Sequence, residues 1–278
     1  MSAQTEPFFI VSSGRSGTAM LYKALSAVPG LEMHHEHRIR DVQPLGVRRY
    51  LGLADKPKSL EILRETHAGA IMQSTVAHWG DSSNKLSWLI PDLAELMPKA
   101  KFVHLVRDGR KVASSYFHKL REECYDDRSA GILQAHYDDP ARFPAPPAEK
   151  KYWWPVPRRE DPKAQEFRDF DQFARIAWHW SEINATILKA LAPMPPERHL
   201  FVRLEDLVQS PRLVHALFGF LDLPYQDEYF GISARPHNVN CPKDYPLTSS
   251  QRVVFDRIAA PMMERLGYAE RAEYVVNY

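Results

Sequence analysis

Cysteine is nearly absent from this chain of 278 residues: Cys124 and Cys241 are its whole supply. One pair cannot make the disulfide framework of a small secreted domain, and no metal-ligand spacing is present. Long hydrophobic runs are missing too. No stretch reaches the roughly 18 apolar residues that a membrane-spanning helix requires. Nor is there an excess of either charge, since 36 Lys and Arg stand against 35 Asp and Glu. That balance argues against broad contact with nucleic acid but leaves room for a local cationic pocket. Met1 to Pro7 is short and polar, without the charged start and apolar centre of a signal peptide. The expectation is a soluble cytoplasmic protein with no membrane or nucleic-acid partner. Hydrophobic residues make up 44% of the chain, enough for the core of a single domain over residues 1–278.

Phe8-Phe9-Ile10-Val11 is a short run of β-formers that ends at the turn signal Ser12-Ser13-Gly14. From Thr18 the period changes: Met20, Leu21, Ala24, Leu25 and Val28 recur at helical spacing, and Pro29-Gly30 closes the segment. Ala68 to Ser74 reads as a candidate strand, and Trp88 to Met97 as an amphipathic helix. Lys101 to Val106 is the clearest strand; it runs into Arg107-Asp108-Gly109-Arg110 and a helix through about Lys119. A helical region from about Lys163 to Leu191, a strand at His199 to Arg203, and helices at Pro211 to Leu221 and Ser249 to Leu266 follow. Strands alternating with helices predict an α/β fold in three layers, a P-loop-like parallel sheet of about five strands flanked by helices. Residues 121–162 break the pattern with prolines, mixed charges and Tyr152-Trp153-Trp154, and read as an irregular insertion or substrate lid.

A glycine loop between a buried strand and a helix lets backbone N–H groups approach an anion, and the helix N-terminus adds its positive dipole end. In Gly14-Arg15-Ser16-Gly17-Thr18, two hydroxyls and a guanidinium join that cradle. The loop lacks the lysine of a Walker A motif, and Ala19 follows Thr18, which weakens an ATP-dependent kinase as the alternative. Asp108 could serve as a Mg²⁺ ligand in such a kinase, but flanking Arg107 and Arg110 make an ion pair the better expectation. Arg107 at a strand end and Ser115 two helical turns on could meet one phosphate at the carboxyl edge of the sheet, where open α/β sheets bind ligands.

These residues resemble the PAPS-dependent sulfotransferase superfamily, which transfers a sulfuryl group from 3′-phosphoadenosine-5′-phosphosulfate (PAPS) and leaves adenosine 3′,5′-bisphosphate. Arg15-Ser16-Gly17-Thr18 looks like its 5′-phosphosulfate loop, and Ala100 to Arg110 with Ser115 like its 3′-phosphate motif. Val202 to Val208 resembles a strand-end motif rich in Glu and Asp, and Pro261 to Tyr268 the closing helix. The pattern is closest to the tyrosylprotein and carbohydrate type, whose loop carries arginine. The resemblance implies that Arg15, Ser16, Gly17, Thr18 and Ala19 hold the 5′-phosphosulfate. It implies that Arg107 and Ser115 hold the 3′-phosphate, with Lys119 as a further basic residue. Lys243 lies in a segment where the family closes a loop over the donor, although the spelling differs there. Leu204 departs from the aromatic residue expected near the donor.

Sulfuryl transfer needs an in-line acceptor hydroxyl or amine, a base for its proton and cations for the leaving phosphate. The resemblance implies Glu36, 21 residues after Arg15, as the base, with Arg38 orienting it or binding an acidic substrate group. Lys85 falls near the family's transition-state lysine, and with Arg15 would meet the developing charge. The neighbouring His34, His35 and His37 leave an imidazole base open. No metal is required in this scheme. The acceptor stays open among small molecules, carbohydrates and peptides, as do a homodimer and a non-catalytic nucleotide-binding protein of the same fold.

Overall fold

The computed structural model describes residues 5–234 and 244–273. Five strands form one sheet: β1 (Glu6–Val11), β2 (Leu31–His35), β3 (His78–Ser82), β4 (Lys101–Val106) and β5 (His199–Arg203). Their spatial order is β2-β3-β1-β4-β5, and every pairing is parallel. The chain leaves central β1 for β2 and β3 on one side, then crosses to β4 and β5 on the other. The loop after β1 therefore stands where the winding reverses, the place at which such sheets open a crevice for ligands.

Period-two alternation sends the strand side chains into two helical layers. Phe8, Ile10, Val103 and Leu105 face the helices Thr18–Leu25 and Pro211–Phe220. Phe9, Val11 and Phe102 face the helices Ile39–Tyr50, Ile90–Leu96 and Gln172–Leu191. A third cluster covers the region beyond the strand ends. It joins the helices Gly109–Lys119 and Ser249–Arg265 to Tyr152, Trp153, Trp154 and Val156.

Two expectations need correction. Residues 64–73 are helical, a π-turn at Arg64–Ala68 followed by Gly69–Gln73. Met72 is 85% exposed, so this apolar run does not feed a sheet. The strand lies instead at His78–Ser82, whose polar letters hide it; its Asp81 and Ser82 are fully buried and bond to neighbouring segments. Residues 121–162, expected to be irregular throughout, carry regular structure in part. They contain the helix Asp127–Asp138, capped by Asp126, and Tyr125, Tyr137, Tyr152, Trp153 and Trp154 are core. Among the described residues no helix is long and apolar enough to cross a membrane.

Candidate active site

The loop after β1 is held by its own serines. The Gly14 N–H donates to Ser12 Oγ at 3.0 Å, Ser16 Oγ donates to the Gly14 carbonyl at 3.0 Å, and Ser13 and Ser16 hydroxyls lie 3.1 Å apart. Ser87 ties the loop to the segment after β3, donating to the Ser12 carbonyl at 2.9 Å. Ser16, expected as a ligand donor, is thus turned into the loop. Gly14, Arg15 and Gly17 all have positive φ. Gly17 caps the helix Thr18–Leu25 without a side-chain hydrogen bond to its first turn, so no side chain competes for those N–H groups. Thr18 and Ala19 open that turn. Leu204 packs over Gly17, the place where an aromatic residue was expected.

Gly14 (φ 81°) faces Tyr116, whose hydroxyl donates to the Ser13 carbonyl at 2.9 Å. A Cβ at Gly14 would overlap that hydroxyl. Gly14→Ala should therefore cost about 2–5 kcal/mol through the left-handed backbone and the overlap, read by urea unfolding; a wild-type midpoint would contradict this geometry.

The two segments expected to bind anions meet. Arg15 Nε donates to Ser115 Oγ at 3.0 Å, and Arg107 Nη1 donates to the Arg15 carbonyl at 3.0 Å. Lys119 is one turn beyond Ser115 on the same helix, about 6 Å farther along its axis. Lys243 lies outside the described residues. Asp108 is committed elsewhere: its carboxylate caps its own helix through the Arg110 N–H and takes the Arg110 guanidinium at 2.6–3.1 Å. Behind it, buried Glu205 accepts the Asp108 N–H at 2.9 Å and the Tyr268 hydroxyl at 2.7 Å. The Glu-Asp motif and the closing helix noted in the sequence thus act together, bracing the turn that presents Arg107.

Glu36 follows β2 with φ 58°. Its N–H donates to the Ser82 carbonyl at 3.3 Å, and the next N–H, that of His37, to Asp81 Oδ1 at 3.3 Å. Lys150 Nζ donates to Glu36 Oε2 at 3.1 Å. Burial raises the Glu36 pKa, but the charges of Lys85 and Lys150 outweigh it and hold the carboxyl below its ordinary value. Lys85, in the turn Asn84–Trp88 after β3, is only 7% exposed, with Nζ 3.7 Å from the centre of the Trp154 ring. Burial pushes its ammonium down to about 8, against the opposing pull of Glu36.

Arg38 does not reach Glu36 in this arrangement; it is 58% exposed and donates to Asp41 at 2.7 Å. The histidines have separate partners. His34 lies 2.9 Å from Glu32, His35 Nδ1 donates to the Ser82 carbonyl at 2.7 Å, and His37 Nε2 donates to the Thr66 carbonyl at 3.2 Å. Among the described residues no group of three or more potential ligands is arranged to hold a metal ion. Buried Cys124 has its thiol pushed up by burial, which removes it as a nucleophile. A cleft of about 310 Å³ is walled by Arg38, Arg40, Asp41, Arg48, Glu65 and Trp153 among others; Glu36 and Lys150 are not among its lining residues. The sequence reading missed Lys150, because it lies 114 residues from Glu36 within an irregular segment.

Residues 7–145, half of the chain, match the family model described as Sulfotransferase family. The chain belongs to the sulfotransferase family. Its members are enzymes, and membership implies a sulfuryl donor. A solved sulfotransferase from Alicyclobacillus acidocaldarius is similar at 14% identity over 96% of each chain, with a TM-score of 0.53, a likeness of fold. The sulfotransferase domain from the curacin biosynthetic pathway gives 16% identity over 94% of this chain and 98% of that one, with a TM-score of 0.46. Sulfotransferase STF9 from Mycobacterium avium gives 13% identity, 94% and 77% coverage, and a TM-score of 0.48. No curated protein matches the sequence.

Proposed function

We propose that this sulfotransferase moves the sulfuryl group of PAPS to a hydroxyl or amine acceptor, in line, with Glu36 as general base. The observation that carries the reading is the Arg15–Ser115 contact at 3.0 Å, with Arg107 on the Arg15 backbone. It unites two separate anion motifs beside an ionised carboxylate and a buried lysine. The fit to the donor is good: the first turn after Gly17 has no side-chain cap, and Asp108 is neutralised by Arg110. PAPS, when bound, supplies an activated sulfuryl group on a phosphate leaving group.

In this reading the N–H groups at Thr18 and Ala19, with Arg15, hold the 5′ side. Arg107 and Ser115 hold the 3′-phosphate, Lys119 adding charge one turn away. Lys85 and Arg15 oppose negative charge as it develops on the leaving oxygen. Glu36 takes the acceptor proton. The acceptor presents its hydroxyl or amine to Glu36; Arg38, two residues on, lines a neighbouring cleft with Arg40 and Arg48, whose charge Asp41 and Glu65 partly offset. The loop arginine and Glu36 favour the tyrosylprotein and carbohydrate type within the family. The kinase reading loses its Mg²⁺ ligand, because both Asp108 oxygens are held by Arg110.

The test is nucleotide selectivity. Adenosine 3′,5′-bisphosphate should raise the melting temperature while ATP with Mg²⁺ should not. Arg107→Ala should weaken the bisphosphate by roughly 10- to 100-fold, as expected for a charge-assisted bond worth about 1.5–3 kcal/mol. Stabilisation by ATP with Mg²⁺ alone, or unchanged affinity in Arg107→Ala, would overturn the donor assignment.

A further inference from the structure

Glu36 and Lys150 are far apart in the chain, yet one helix frames both. The Glu36 turn leads directly into Ile39–Tyr50, and Gln43 on that helix holds the insertion. Gln43 is only 3% exposed; its Nε2 donates to the Lys150 carbonyl at 3.0 Å and to the Trp153 carbonyl at 2.8 Å. From the same helix, Arg48 lies 4.8 Å over the Trp153 ring. Trp153 Nε1 closes the insertion's turn by donating to the Pro147 carbonyl at 2.7 Å. The backbone of Lys150 is therefore fixed relative to Glu36 by buried contacts, although the lysine side chain itself is 52% exposed. An ion pair between two freely moving surface chains would have little structural meaning; here one partner is mounted on a braced turn.

We propose that Lys150, delivered by the insertion, is a positioning residue that holds Glu36 Oε2 and leaves Oε1 directed to the acceptor. The inference rests on the reading of Glu36 as the base. It gives residues 121–162 a second task beside core packing, since the segment also supplies Trp154 against Lys85. The groups whose charge acts on Glu36 are Lys85 from the turn after β3, Lys150 from the insertion and His35 on β2. Lys150 is the outermost of the two lysines and its pair is open to salt, whereas Lys85 is buried. Proton uptake needs no co-reactant: the acceptor O–H or N–H proton passes to Oε1, and Lys150 keeps its own.

Glu36 can be watched directly in the full chain labelled with ¹³C at glutamate carboxyls, its resonance assigned by its loss in Glu36→Gln. Lys150→Gln should move the Glu36 titration midpoint up, because a cation that favours the carboxylate is gone. Lys150→Arg should keep it near wild type. In wild-type protein, salt raised to about 1 M, where the screening length is about 3 Å, should also move the midpoint up. That second measurement stands even if the glutamine variant folds poorly. An unmoved midpoint in Lys150→Gln, or in high salt, overturns the proposal. In turnover, the acidic limb of kcat/KM should follow the midpoint upward in Lys150→Gln, which loss of packing alone would not produce. The activity of Glu36→Gln decides separately whether Glu36 is the base, so either reading can fail while the other stands.

Discussion

Glu36→Gln should lower turnover by roughly 10²–10⁴-fold, the usual worth of a positioned base, while affinity for adenosine 3′,5′-bisphosphate should stay at the wild-type value. The two halves of this result come from different parts of the sheet edge. The proposed donor cradle comprises the loop after β1 and the turn after β4, and Glu36 stands after β2. Gln conserves the shape and can still accept from Lys150, so the backbone bonds to Ser82 and Asp81 survive. What is lost is the proton site. Because two lysines hold the carboxyl below its ordinary value, wild-type activity should persist at more acidic pH than a free carboxylate would allow, and fall only as pH drops through that lowered value. Transfer rates with labelled donor and calorimetry of the bisphosphate check both halves. Full turnover in the variant would pass the role to His35, whose charge also acts on Glu36.

The parts of this site that were legible in the sequence are those made by neighbours in the chain. β1 and β4 announce themselves by apolar β-formers ending in a turn signal, and Arg15 and Arg107 sit at those ends. β3 was hidden because Asp81 and Ser82 are buried for hydrogen bonding, which no hydrophobic pattern reports. Residues 68–74 misled in the opposite direction, since an exposed Met72 looks apolar in any window. Glu36 became a candidate through its spacing from Arg15 in a resembling family, without a local pattern of its own. Lys150 and the Glu205–Tyr268 contact depend on tertiary approach across 114 and 63 residues, and periodicity carries no information at that range. Arg38 shows the limit of spacing alone: it has the expected place in the chain, but its side chain turns to Asp41.

Lys85→Met should cost roughly 10²–10³-fold in turnover, the scale seen when one preorganised stabiliser of developing charge is removed. Methionine keeps much of the length and apolar stem packed near Trp154, so the loss isolates the ammonium. The pH profile makes the test specific. Burial lowers the free enzyme's Lys85 to about 8, so the side chain is charged below that pH and neutral above it. The kcat/KM profile, which reports the free enzyme, should therefore fall as pH rises through about 8. An anionic donor placed against Lys85 favours its charged form, so the corresponding limb of kcat should lie at higher pH. Lys85→Met should have neither limb, because no group remains there to titrate. If the alkaline limb of kcat/KM persists unchanged in that variant, the titrating group is another residue, and the cation opposing the leaving oxygen must be sought at Arg15 alone.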